Sequence, residues 1–204
     1  MVTTNRVNSR RVVILAATGP VFSAGHNFGD MHGAELDSIR HLFHVCTEMM
    51  DTIQSIPQPV IAKVRGYAIG GGNVICTLCD LTIAAESAQF GQVGPKMGSV
   101  DPGYGTAFLA RVVGEKKARE IWYMCRRYSG KEAEAMGLAN LCVPHEELDA
   151  EVQIAQGRAD AAVATTEAAR KRWPTSALLR IAYAQALQAA GRHADAVGYL
   201  REQT

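Results

Sequence analysis

Apolar positions in the first two thirds of the chain follow two alternating patterns. Short β-branched runs, Val12-Val13-Ile14-Leu15, Val60-Ile61-Ala62-Lys63-Val64 and Leu81-Thr82-Ile83-Ala84, have the length and composition of buried strands. Between the first two, Leu36, Ile39, Leu42, Phe43, Cys46, Met49, Met50 and Ile53 recur on one helical face. They predict an amphipathic helix over 35–55, stopped by Pro57 and Pro59. A helix is expected from Asn73 to about Cys79, and others at about 106–113, 115–126 and 131–136. Residues 139–143 read as a last short strand closed by Pro144. Residues 90–105 read as glycine-rich and irregular, and 1–10 as a polar leader. Strand–helix–strand alternation places the chain in the α/β class, with right-handed crossovers and a largely parallel sheet.

From about residue 147 the pattern becomes Ala-rich and helical, with no strand. Gly157-Arg158 recurs as Gly191-Arg192 and Ala162-Val163 as Ala196-Val197, both offset by 34 residues, with Trp173-Pro174 between. That period belongs to paired helices of the tetratricopeptide type. Too few repeats are present for a solenoid, which needs about three. The tail is therefore expected to form at least two antiparallel helices. Their stripe of Val163, Leu179, Tyr183, Leu187 and Leu200 should stay partly exposed and available to a protein partner. The expected organisation is a leader (1–10), an α/β domain (11–152) and an all-α helical-hairpin tail (153–204).

Composition narrows the function. Of 204 residues, 48% are hydrophobic and 20% charged, an ordinary globular mix. With 21 Lys+Arg against 20 Asp+Glu there is no electrostatic case for nucleic acid or an anionic membrane. No apolar run is long enough to cross a bilayer. Five cysteines in apolar surroundings argue against a disulfide scaffold and for a reduced, cytoplasmic setting. Cys76-x-x-Cys79 lacks a second pair and a histidine, so it reads as helix core and no metal site is expected. Ser9-Arg10-Arg11 before an apolar run is like the start of a twin-arginine export signal, but the run is short and β-branched and reads as a buried strand.

Three segments are candidates for chemistry. Gly66-Tyr67-Ala68-Ile69-Gly70-Gly71-Gly72, between strand and helix, exposes backbone N–H groups at a helix N-terminus, where an anion or a developing oxyanion is stabilised. It has neither P-loop nor dinucleotide spacing, and close helix–strand packing accounts for it equally well. Val21-Phe22-Ser23-Ala24-Gly25-His26-Asn27 follows a neighbouring strand and offers a second donor; taken alone, His26 is an ordinary loop histidine. The loop from Gly91 to Gly105 carries Ser99 and Asp101, an acid–base platform or an Asx turn before Pro102.

Phe22-Ser23-Ala24-Gly25, the Gly66–Gly72 segment, Cys79-Asp80-Leu81 and Phe90-Gly91-Gln92 together resemble the crotonase (enoyl-CoA hydratase/isomerase) superfamily over residues 11–152. Residues 63–152 are most similar to the 2-ketocyclohexanecarboxyl-CoA hydrolase subgroup and its relative, 1,4-dihydroxy-2-naphthoyl-CoA synthase. Residues 11–62 are similar to a generic enoyl-CoA hydratase, and 153–204 to neither, so the chain reads as a composite. The resemblance implies a ββα spiral core, here without the N-terminal strands that usually precede Arg11 and without the usual C-terminal helices and their tyrosine. It implies an acyl-CoA thioester as substrate, with coenzyme A entering only as part of it, and a homo-oligomer, trimer or hexamer. The N–H groups of His26 and Gly71 would hold the enolate oxygen. Ser23, Ala24, His26, Gly71 and Gly94 would line the thioester. Val74 and Gly94 stand where hydratases carry glutamates, which disfavours hydration. Asp101 would handle the proton or activate water, with Ser99 orienting it or the substrate. The implied reaction is retro-Claisen ring opening of a cyclic β-keto acyl-CoA. The naphthoyl-CoA synthase-type condensation, hydratase/isomerase chemistry and an inactive scaffold remain alternatives.

Overall fold

The computed structural model describes residues 12–101, 103–172 and 177–201. The leader, Arg11, Pro102 and Trp173-Pro174 lie outside the described residues. Two compact units divide at Cys142 and Val143.

The first unit is wound as successive strand–strand–helix turns. β1 (Val13–Ala16) and β2 (Val21–Ser23) lead through α1 (Phe28–Met31) into α2 (Leu36–Ser55). β3 (Val60–Val64) and β4 (Tyr67–Ile69) lead into α3 (Gly71–Leu78). β5 (Leu81–Ala85) and β6 (Gln89–Gly91) lead through a 3₁₀ turn (Gly94–Met97) into α4 (Tyr104–Val113). α5 (Glu115–Met124), β7 (Tyr128–Ser129), α6 (Gly130–Ala135) and β8 (Leu141–Val143) complete the series.

The first strands of each turn stack in one sheet, β1-β3-β5-β8, and the second strands in another, β2-β4-β6-β7. Pairing between successive turns is parallel, with Val13 opposite Val60 and Ile61 opposite Leu81. β7 runs antiparallel to its neighbour, β6. This is the α/β ββα spiral that the sequence leads one to expect. The four strands β2, β4, β6 and β7, two or three residues each, are additions to that expectation. They are too short to carry a hydrophobic period and exist because each pairs with a strand of the turn beside it, β2 with a register shift between Val21 and Ser23.

β3 is central and almost continuously buried, as a strand covered on both faces should be. β1 is an edge strand and only half-buried, which corrects the expectation of a buried first strand. The main core joins Ala62, Val64, Ala68, Phe90, Leu109 and Ile121. Full burial of a Phe or Leu of this kind contributes about 1.5–3 kcal/mol. A second cluster lies under α2, where Met50 and Ile53 meet Val60, Val74 and Leu78. On the rest of the expected α2 face Ile39, Leu42 and Cys46 are half-buried, and Leu36, Phe43 and Met49 are exposed. Contact with α3 comes from the C-terminal half of α2, tied by Gln54 Nε2 donating to Leu78 O at 2.5 Å.

The second unit contains α7 (Leu148–Ala155), α8 (Ala159–Arg172), α9 (Ala177–Ala189) and α10 (His193–Arg201). It begins ahead of residue 153 because Ala150 and Ile154 of α7 pack with Ala162, Val163, Leu187 and Ala196. The repeated Gly-Arg pairs are structurally equivalent. Gly157 N donates to Ile154 O and Arg158 N to Gln153 O, each at 2.8 Å; Gly191 N donates to Gln188 O and Arg192 N to Leu187 O, at 2.9 and 2.8 Å. Both glycines are left-handed, so each pair ends a helix in a Schellman cap. α8, α9 and α10 meet the expectation of at least two helices, and the expected stripe is partly covered and partly exposed. Val163, Leu179 and Leu187 are buried, Tyr183 packs edge-on against Tyr199, and Leu200 remains exposed. Among the described residues no helix is long and apolar enough to cross a membrane.

Candidate active site

The spiral places the loop after β2 against the N-terminus of α3. Gly25 takes φ +88°, and a Cβ there would sit 2.9 Å from Gly71 N; a Cβ on Gly71 would sit 3.0 Å from Gly25 Cα. Only two glycines allow this approach. Ser23 Oγ accepts from Gly25 N at 3.2 Å and turns the loop, and Ala24 O lies against Gly70. The first hydrogen bond inside α3 runs from Val74 N to Gly70 O at 3.1 Å. The N–H groups of Gly71, Gly72 and Asn73 are thus left for other acceptors at the positive end of the helix. Ser23, Ala24, His26 and Gly71 are therefore brought together. The His26 ring is occupied elsewhere, tilted against Phe43 of α2 with centroids 5.1 Å apart, so a role at this junction falls to its backbone.

The loop bearing Ser99 and Asp101 closes on itself through Ser99 N donating to Gly94 O at 2.8 Å. Gly94 has no room for a side chain: a Cβ would meet Ser99 O at 2.6 Å and the Trp122 ring at 3.1 Å. Ser99 is exposed. Asp101 Oδ1 accepts from Gly103 N at 2.8 Å and Oδ2 from Gly105 N at 3.0 Å, so its carboxylate covers the first turn of α4. Among the described residues this carboxylate is held by those amides and not by the Ser99 hydroxyl. The turn-capping alternative is therefore a real part of what Asp101 does.

Its place is the informative part. A Cβ on Gly105 would meet the Asp101 carboxylate and, at 2.8 Å, Val74 Cγ2. Asp101 and Val74, the first turns of α4 and α3, thus lie about one point. α2 closes the other side. Burial first, and the Asp101 charge second, push the Cys46 thiol of α2 upward. Trp122 Nε1 donates to Gly105 O at 3.3 Å and fixes the same turn from α5.

Sequence reasoning missed Cys46, Asp51, Tyr104 and Trp122 as surroundings of this site. Tyr104 hydrogen-bonds through its hydroxyl to the carboxylate of Asp51 on α2. The Gly103-Tyr104-Gly105 triplet was the available signal for Tyr104; α2 offered none for Asp51, a polar residue beside Met50 on a half-exposed helix. Cys76 and Cys79 are free thiols, both raised by burial, Cys79 to about 12, which keeps them protonated and poor as nucleophiles or ligands. Among the described residues no group of three His, Cys, Asp or Glu is placed to hold a metal ion.

Comparison with known proteins supports the same assignment of the fold. The enoyl-CoA hydratase/isomerase family model matches residues 3–190, a span that continues past residue 152 into the helical unit. An enoyl-CoA hydratase structure from Bacillus anthracis is 30% identical, covers 94% of this chain and 74% of its own, and superposes with a TM-score of 0.68. One from Mycobacterium smegmatis is 32% identical, with coverage of 89% and 72% and a TM-score of 0.68. A human enoyl coenzyme A hydratase domain-containing protein is 30% identical, with coverage of 87% and 72% and a TM-score of 0.67.

Proposed function

Since the chain belongs to the enoyl-CoA hydratase/isomerase family of crotonase-type acyl-CoA enzymes, we propose that it opens a cyclic β-keto acyl-CoA thioester by retro-Claisen hydrolysis. The observation that carries this reading is that the Asp101 carboxylate lies beside Val74, in a site whose two hydratase-type glutamate positions are Val74 and Gly94. One carboxylate suits a reaction that moves one proton out and back.

Asp101 takes a proton from water as the oxygen adds to the ring ketone. The tetrahedral alkoxide collapses and the bond between ketone carbon and α-carbon breaks. Its electron pair enters the thioester as an enolate, whose oxygen the His26 and Gly71 N–H groups hold. Asp101 returns the proton to the α-carbon, leaving an open-chain thioester, one water heavier, with a new carboxyl group. Ser99 orients the substrate from the same loop. One such backbone donor stabilises a transition state by about 3–4 kcal/mol. The helix dipole of α3 adds to it in the same direction.

The test is incubation of the full chain with 2-ketocyclohexane-1-carboxyl-CoA, with products read by mass. The reading requires the hydrated open-chain thioester, and a loss of at least about 10²-fold in turnover for Asp101→Asn with thioester binding retained. Equal turnover by wild type and Asp101→Asn removes the residue from the chemistry. No reaction here, with loss of water from an aryl-dicarboxylate CoA thioester, assigns the condensation instead.

A further inference from the structure

The Asp101 carboxylate is held only by the amides of Gly103 and Gly105 among the described residues, so its position depends on what fixes the first turn of α4. Between those glycines stands Tyr104. Its ring packs at 5.4 Å from that of Phe108 and joins the cluster beneath α2, and its hydroxyl meets the carboxylate of Asp51. A tyrosine has two side-chain torsions, so fixing its tip fixes its Cα and the amides on either side.

Helix energetics give Asp51 no other reason to be where it is. Its neighbours at i−4, i−3, i+3 and i+4 are Thr47, Glu48, Gln54 and Ser55, none of them a cation and one a like charge. It also sits towards the C-terminal end of α2, where the helix dipole disfavours an anion. Among the described residues its hydrogen-bond partner is the Tyr104 hydroxyl, fifty-three residues away in sequence.

We infer that Asp51 is a positioning residue for the proposed reaction: through the Tyr104 hydroxyl it clamps α2 to the first turn of α4 and so sets the Asp101 carboxylate against the reacting ketone. Asp51 does not touch substrate. The inference rests on the reading of Asp101 given above, and it makes α2 part of the catalytic frame.

The test uses the full chain with Asp51→Ala, Asp51→Asn, Tyr104→Phe, the Asp51→Ala/Tyr104→Phe pair and Asp101→Asn, assayed on 2-ketocyclohexane-1-carboxyl-CoA. Asp51→Ala and Tyr104→Phe should each lower kcat by about 10–10²-fold with KM nearly unchanged, since misplacement of the reacting group costs turnover and not binding. The double variant should be no worse than either single, because both break one link. Asp51→Asn, whose amide oxygen still accepts the hydroxyl, should restore most of kcat, and unfolding midpoints should match throughout. Wild-type kcat in Asp51→Ala beside an impaired Asp101→Asn overturns the clamp and leaves the function standing. If the wild type itself does not open the substrate, the function falls, and amide hydrogen exchange at Gly103 and Gly105 decides the clamp. Faster exchange there in Asp51→Ala and Tyr104→Phe upholds it, and wild-type protection overturns it.

Discussion

Replacing Gly25 by alanine separates backbone strain from obstruction of the site. Gly25 sits at φ +88°, and Gly33, in the same connection, at φ +72°. An alanine in the left-handed region costs about 1–2 kcal/mol at either position. The two differ in what the new methyl meets. Around Gly33 nothing lies within 4 Å, whereas at Gly25 the methyl lands 2.9 Å from Gly71 N, the donor proposed for the oxyanion. Gly33→Ala should therefore lower the unfolding midpoint by about 2–4 °C per kcal/mol and leave the site alone. Gly25→Ala should add an overpacking cost of about 1–3 kcal/mol and cover one donor, which is worth about 10²–10³-fold in turnover. Thermal unfolding and calorimetric binding of an acyl-CoA thioester, run on both variants, measure the two effects separately. If Gly25→Ala binds and turns over like Gly33→Ala, the contact between the β2 loop and α3 is packing alone, and the oxyanion assignment is wrong.

Two pH-dependent effects follow from other groups. Burial first, and the hydrogen bond from Tyr128 Oη to Glu120 Oε1 at 2.8 Å second, raise the Tyr128 phenol to about 12. The folded state thus keeps a proton that the unfolded chain loses near the ordinary value, so this contribution to stability is present at neutral pH and lost as pH rises towards 12. In ultraviolet titration the late Tyr128 transition should move back in Glu120→Gln; a Tyr128 titration unaffected by that change refutes the link. Burial also raises the carboxyl of Glu151 on α7, so the fold favours its protonated form. Stability of the helical unit should fall as pH rises past the ordinary carboxylate range, and Glu151→Gln should raise the unfolding midpoint at neutral pH but not in acid; equal midpoints at neutral pH would contradict this.

The long-range frame was legible where local chemistry and burial agree. β3 is a β-branched run because it is covered on both faces, and the strand reads directly from Val60 to Val64. The 34-residue recurrence of Gly157-Arg158 as Gly191-Arg192 was legible as a repeat, and the structure gives its reason: the same left-handed cap recurs. The short strands of the second sheet did not read, since β4 and β6 hold their shape through pairing of Ala68 with Phe90 and Ile69 with Gly91, partners distant in sequence. The α2 face was overcounted because periodicity reports an apolar stripe and not what covers it, and Leu36 and Phe43 stay exposed. In the candidate site, the glycines read as backbone requirements, and their closeness follows from the stacking of β2 on β4. Asp101 read as either acid–base group or cap. The structure gives it the capping bonds and sets it beside Val74, a juxtaposition of two helix starts that spacing along the chain does not contain.

The central claim is that two backbone amides, one from each glycine loop, receive the thioester oxygen. Amide resonances of ¹⁵N-labelled protein, followed while a non-reactive acyl-CoA thioester is added, test it most directly. The His26 and Gly71 amide protons should move downfield together, saturating with one shared Kd, and the free thiol coenzyme A should not reproduce the shift. Saturable binding that leaves either amide where it was, or moves both equally with coenzyme A alone, would contradict the account.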